Sequence, residues 1–310
     1  MNGYNLTNQF SYDLETGDEV KKNTFPKEGP EKVGDLIGFY PISKDSILIT
    51  PMTIGQLYLA NSTGKGYSNL DYTKTSTGEY TAFGGSINFN PIVLDKGNLY
   101  IPQGIMREWT SMSIEDLTKA PLELSINVKS KKVEFLSFNY PKEIWEFGYV
   151  PLDFSRTWNG QKVIYSFLYD SKVYEFKNGS KQYTVHTNAK SIDDIATPSF
   201  KKDAVSFEDY CFKYGVYLGI VYDKYRKVYY RFYRPKLEPE KGVNVMSLIE
   251  NPPIFSIIVM NDNFENIGEV HLPKKKFSSS CFFISEKGLY LAKSMDNENR
   301  LTFIPLTLNK

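Results

Sequence analysis

One arrangement recurs along the chain and limits what it can fold into: a short apolar strand, a tight polar turn, then a strand rich in Leu, Ile, Val and Tyr. It occupies residues 39–50, 90–102, 151–167, 219–232 and 281–293, with turns at Lys44-Asp45, Lys96-Gly97, Asn159-Gly160, residues 224–227 and Lys287-Gly288. Apolar alternation around such turns is the signature of a β-hairpin. A second pattern, a strand running into a turn of Gly, Asn, Asp, Ser or Lys, follows each hairpin at residues 56–65, 122–132, 172–181, 255–266 and 301–309. A sixth copy, residues 8–20, stands with no hairpin before it. Hairpin, third strand and an outer fourth strand make a four-stranded meander, and the turn centres fall 52 to 66 residues apart. Meanders at this spacing predict a β-propeller whose blades carry extra length in their loops. A two-sheet sandwich, the competing fold, does not predict the same strand order five times.

Composition agrees. The chain has 23 Tyr and 21 Phe against only seven Ala, a balance that favours strands over helices. Six third strands set against five hairpins predict an all-β, six-bladed propeller of four-stranded antiparallel blades. The whole chain, residues 1–310, is then one domain, with blades over 1–26 (incomplete), 34–73, 86–139, 147–187, 206–272 and 277–310. The alternative is five blades, with residues 9–14 closing the last. Helix is expected only near residues 113–119 and within 237–250.

Thirty-seven basic side chains against 36 acidic ones leave a formal charge of +1, so bulk electrostatics give no reason to expect nucleic acid as a partner. Apolar runs such as residues 255–260 are too short to span a bilayer. Cys211 and Cys281 lie in strand-like sequence and read as buried free thiols. Strand-like sequence begins almost at Met1 with no signal peptide. The expectation is a native product that starts upstream with a lipoprotein signal and further strands, or a cytoplasmic protein if Met1 is the true start.

Several segments resemble a known family. Tyr12-Asp-Leu-Glu-Thr-Gly17, residues 27–50, Val163-Ile-Tyr-Ser-Phe167, residues 285–294 and above all Tyr222-Asp-Lys-Tyr-Arg-Lys-Val-Tyr-Tyr-Arg-Phe232 resemble a family of Bacteroides-group envelope proteins, the domain of unknown function 4221. The matches run from about Asn8 to the C-terminus. The resemblance implies a six-bladed, TolB-like propeller exported as a lipoprotein to the periplasm or outer membrane. It carries over no activity and no catalytic residues.

Chemistry-bearing residues are sparse. The only histidines, His186 and His271, sit in alternating outer-strand sequence and read as sheet-surface residues. No Gly-x-Ser-x-Gly elbow and no metal-ligand spacing is present, so no cofactor is expected. The oxygen-rich stretches 262–265 and 296–299 lack calcium-loop grammar and read as solvated turns. Residues 61–66 lack the order of a phosphate loop. An alternative reading is a hydrolase or lyase with carboxylates from several blades around a central axis, Asp153, Glu208 and Asp209 being the candidates.

In residues 228–234, strand alternation puts Val228, Tyr230 and Phe232 on one face and Tyr229, Arg231 and Tyr233 on the other. Arg231, bracketed by phenol rings, reads as glue between blades that needs a carboxylate partner if buried, or as a ligand contact. The extra length falls in connections 103–120, 140–147, 188–205 and 234–253, on one expected face. The leading expectation is a non-catalytic envelope protein that binds a glycan, peptide or protein partner on that face. Its binding residues would be Arg107, Trp109, Trp145, Arg231, Arg234 and Lys236, centred on Arg107, Trp109 and Arg234.

Overall fold

The computed structural model describes residues 8–27, 33–43, 45–53, 55–61, 68–82, 84–105, 111–145, 153–177, 182–186, 214–237, 248, 252–294 and 301–306. The chain divides into two compact units, residues 1–108 with 120–139, and residues 109–119 with 140–310.

The first unit holds a hairpin and two blades. Strands β1 (Asn8–Tyr12) and β2 (Glu19–Thr24) form the hairpin. Blade 1 consists of β3 (Leu36–Ser43), β4 (Ser46–Pro51), β5 (Gln56–Asn61) and β6 (Ser68–Asp71), paired antiparallel in chain order. Blade 2 repeats the order with β7 (Val93–Asp95), β8 (Asn98–Pro102), β9 (Glu123–Asn127) and β10 (Val133–Phe135). Period-two alternation sends Leu48, Leu57 and Leu70 of blade 1 into one core with Leu99, Ile101, Leu124, Ile126 and Val133 of blade 2. Backbones also meet closely: a Cβ on Gly38 would stand 2.1 Å from the Ser86 carbonyl oxygen. The Thr50 hydroxyl beside it donates to the Gly38 carbonyl (2.9 Å) and accepts from the Ser86 N–H (3.4 Å).

The second unit holds three blades. Blade 3 is β11 (Phe154–Trp158), β12 (Lys162–Phe167), β13 (Val173–Lys177) and β14 (Tyr183–His186). Blade 4 is β15 (Val216–Asp223), β16 (Val228–Arg234), β17 (Ser256–Met260) and β18 (Asn266–His271). Blade 5 is β19 (Phe277–Ser285), β20 (Gly288–Lys293) and β21 (Phe303–Leu306). Strands β16 and β17 are buried along their whole length, and the predicted alternation of β16 holds. Tyr229 and Tyr233 join a core with Ile164, Val173 and Met260, while Phe232 on the other face stacks on Phe282 of blade 5 at 4.9 Å.

Small four-stranded antiparallel meanders make this an all-β protein of the β-propeller class. Blade number departs from expectation: among the described residues there are five blades, not six. Residues 8–24 fold back on themselves because the Asp13 carboxylate accepts from the N–H groups of Glu15 (2.8 Å) and Thr16 (2.9 Å), and Gly17 takes φ 76° to close the turn. A third strand and half a hairpin look alike in sequence. The five-blade alternative also differs in detail, since β1 pairs with β2 in a two-stranded sheet of its own. Helix α1 (Ile114–Leu117) lies where helix was expected, its N-terminus capped by the Ser113 hydroxyl. In 237–250, Leu248 is helical and residues 238–247 lie outside the described residues.

Candidate functional site

In the second unit, antiparallel register puts the starts of β11, β13, β15, β17 and β19 at one end, together with the connections between second and third strands. This is the end where the long connections attach. Of the six residues expected to bind there, Arg107 and Trp109 lie outside the described residues. The structure places the other four as follows.

Arg231 is fully buried. Its guanidinium reaches out of β16 into the β12–β13 connection of blade 3, donating to the carbonyls of Asp170 (2.6 Å), Ser171 (2.6 Å) and Lys172 (3.1 Å) and to the Ser166 hydroxyl (3.0 Å). Tyr217 of the neighbouring strand covers it, ring centroid 3.5 Å from Cζ. The ring that covers it comes from β15, and backbone carbonyls supply acceptors where a carboxylate was expected. Burial pulls this guanidinium down to about 10, still charged at neutral pH, with Tyr217 and Asp170 opposing the shift. Arg231 is a tie between blades 3 and 4.

Arg234 is 2% exposed and donates from Nη1 to the carbonyl of Pro235 (3.1 Å), the residue before Lys236. Trp145 ends a 3-10 turn (Lys142–Trp145), is buried beside Tyr140 at 6.4 Å, and its indole N–H finds no acceptor among the described residues. Only Lys236 among the four is exposed. Three side chains chosen as contacts therefore lie beneath the surface.

The acids beside this end are held in hydrogen bonds. Asp170 accepts from the Tyr174 hydroxyl (2.5 Å) and the Lys172 N–H (2.9 Å); burial raises its carboxyl above the usual range against the pull of Tyr174, Lys172 and Arg231. Glu143 accepts from Tyr183 (2.6 Å), whose phenol is pushed up to about 12, first by burial and then by that carboxylate. Burial lifts the Asp153 carboxyl above the usual carboxylate range, against a backbone hydrogen bond that pulls the other way. Glu208 and Asp209 lie outside the described residues.

The surface of this end carries lysines that the sequence reading did not single out. Lys274, Lys275 and Lys276 are consecutive and exposed in the connection from blade 4 to blade 5. Lys275 N–H donates to the carbonyl of Pro253 (2.6 Å), which ties this connection to the β16–β17 connection that carries Lys236. Three adjacent lysines after a proline were the available signal.

The remaining candidates are structural or solvated. His186 Nε2 lies 3.3 Å from Glu175 Oε2, which also holds Lys162 Nζ at 2.9 Å. His271 is exposed, with Nδ1 2.9 Å from the Ser256 hydroxyl. Residues 261–265 form a turn capped by Asn261 Oδ1 on the N–H groups of Asn263 and Glu265. Residues 62–67 and 295–300 lie outside the described residues, as does Cys211. Cys281 is a free, half-buried thiol whose pKa burial raises. Among the described residues no His, Cys, Asp and Glu cluster of metal-binding geometry occurs, and no helix is long and apolar enough to cross a membrane.

Comparison with known proteins gives a family without an assigned reaction. The profile of the domain of unknown function DUF4221 matches residues 2–271. The chain belongs to this family. The crystal structure of a DUF4221 member from Bacteroides vulgatus is similar at 25% identity and a TM-score of 0.81, over 95% of this chain and 84% of that one. A Bacteroides thetaiotaomicron protein of unknown function aligns over 87% of this chain and 56% of its own at 7% identity, TM-score 0.43. The Cps50 (Swd1) β-propeller domain of Myceliophteria thermophila aligns over 98% and 78% at 9% identity, TM-score 0.47. No curated protein matches.

Proposed function

We propose that the protein is a non-catalytic binding or scaffold propeller of the cell envelope, and that the long-connection end of its second unit receives an acidic glycan, peptide or protein. The observation that carries this reading is the pairing of exposed Lys236 and Lys274–Lys276 on connections joined through the Pro253 carbonyl. Arg234 steadies the turn that presents Lys236, and Arg231 ties the strand leading to it to blade 3. Rigid blades that display basic connections suit recognition of anionic groups, with steering that fades as salt rises. Arg107 and Trp109, in the connection 103–120, remain candidates by residue type.

Charge reversal tests it. The variant Lys236→Glu, Lys274→Glu, Lys276→Glu alters exposed side chains only, so its circular dichroism should match the parent. Recovery of partners from envelope extract should fall, and parent binding should weaken between low and high salt. Unchanged recovery by the folded variant rejects the assignment. The envelope location rests on the family resemblance; recovery of the native protein in the cytosolic fraction would overturn it.

A further inference from the structure

Among the described residues five other than glycine take the left-handed backbone region, and four of these are lysines: Lys96 (φ 47°), Lys131 (φ 60°), Lys227 (φ 54°) and Lys275 (φ 58°). A Cβ makes that region costly, which is why Gly or Asn usually fills it. A lysine kept there points to a use for its ammonium group. Two of the four stand together on blade 2. Lys96, with Gly97 (φ 80°), forms the two-residue turn between β7 and β8, where Asn-Gly is the favoured pair. Lys131 closes the loop between β9 and β10.

The two turns sit at one end of the blade and are fastened to each other. The Val128 N–H donates to the Gly97 carbonyl (2.9 Å), and Asn127 Nδ2 donates to Asn98 Oδ1 (3.0 Å). Asn127 Oδ1 accepts from the N–H (2.8 Å) and the hydroxyl (3.0 Å) of Ser130, and the Lys131 N–H donates to the Asn127 carbonyl (2.8 Å). Backbone and Asn–Ser contacts thus close the loop with no lysine side chain in them. Lys96, Lys129, Lys131 and Lys132 are all exposed. Among the described residues Lys132 alone of the four has a carboxylate partner, Glu134 at 2.7 Å, in an exposed pair that separates at little cost. Asp95, half-buried, is the other acid of the two turns, so four ammonium groups stand against two carboxylates.

From strained lysines gathered on one fixed surface we infer that this end of blade 2 docks an acidic peptide segment of a partner protein, its carboxylates paired with Lys96, Lys129, Lys131 and Lys132. Charge complementarity selects the occupant. Residues 95–98 and 127–132 hold no aromatic ring to stack a base and no arginine to fork a phosphate, so nucleic acid fits poorly. Their one apolar side chain, Val128, is half-buried, which leaves nothing to enter a lipid layer. Lys236 and Lys274–Lys276 take no part, so this surface and the proposed partner site stand or fall separately.

The probe is a short fluorescent peptide of alternating Glu and Ser, titrated with the full chain carrying Lys236→Glu, Lys274→Glu and Lys276→Glu, which removes the other basic surface. Anisotropy should rise at low salt and fall back as salt approaches about 0.5 M. Adding Lys129→Glu and Lys132→Glu, at ordinary backbone positions, should weaken binding about tenfold or more with circular dichroism unchanged. Adding Lys96→Asn and Lys131→Asn instead should weaken it about threefold or more while raising the Tm, because Asn tolerates the left-handed region better. Lysines that served the turns themselves would give the opposite, a lower Tm. No binding at low salt, unchanged affinity in either added pair, or a Tm that falls in the Asn variant would each overturn the proposal. So would tighter binding of a single-stranded oligonucleotide or of phosphatidylglycerol vesicles than of the peptide.

Discussion

At the residue scale, the string Tyr222–Phe232 that most strongly marks the family is made of ties between blades. Asp223 is buried, accepts from Arg226 Nε (2.5 Å) and Tyr230 (3.0 Å), and so aims the Arg226 guanidinium at the carbonyls of Ser285 (2.7 Å) and Glu286 (2.9 Å) of blade 5. Arg231 does the same toward blade 3. Alternation could say which face Arg231 occupies, but not that carbonyls 59 to 61 residues upstream stand opposite it. A ligand contact and a structural tie therefore read alike. Arg231→Met should cost about 3 kcal/mol or more, because three carbonyls lose their donor inside the protein. Arg231→Lys, lacking the planar fork, should recover only part of it. Urea unfolding measures both; a loss under about 1 kcal/mol for the Met variant would remove the tie from the account.

His186 gives a pH prediction. Burial lowers its pKa below the ordinary 6.5, outweighing Glu175, which favours the charged ring; Lys162 opposes charging, and the Phe264 ring packs at 4.3 Å. The unfolded chain therefore takes up the proton first. Stability is full above about 6.5 and falls as pH drops from there toward the lower folded value. The Tm should decline over that window, and His186→Gln should flatten the decline. Asp13 and Asp71, held below 3.8 chiefly by backbone N–H groups, weaken the fold only at lower pH and leave this window clear. An equally steep decline in the Gln variant would assign it to other groups.

At the scale of elements, sequence reading located all five hairpins, because a strand with one buried face repeats every two residues and its turns need Asn, Asp, Gly or Lys. Inter-blade register was not legible. Ser155 and Thr157 on β11 use their hydroxyls to receive the N–H groups of Ile220 (2.8 Å) and Tyr222 (2.9 Å) on β15, a fixed offset of 65 residues. Small hydroxyl residues in a strand look like ordinary surface positions until the neighbouring blade is present. Gly38 is a similar case, an undistinguished glycine in β3 until Ser86 arrives. Gly38→Ala should destabilise by about 1–3 kcal/mol, since a backbone carbonyl rather than a flexible side chain must move. Calorimetry that finds Gly38→Ala as stable as the parent would show that the 84–92 segment yields freely. The same local limit explains the sixth blade: residues 8–20 have the composition of a strand and turn, and only the Asp13 cap and the Gln9–Asn23 pair show that they close on themselves.

At the scale of the whole molecule, burial is unevenly distributed, and so stability should be. Strands β16 and β17 present no residue to solvent, and β12 and β13 present almost none, whereas β2 and β21 are largely exposed or half-buried. Amide exchange reports local opening, which costs least where few apolar contacts break and strand edges stand open. Dilute protein should therefore hold its slowest amides in the inner pairs β12–β13 and β16–β17, opening near the global unfolding free energy. The ladders β1–β2 and β20–β21 should exchange through smaller openings, orders of magnitude faster. Uniform protection across all five blades at low concentration would mean that the blades open together, and that the exposed edges are stabilised by something other than their own packing.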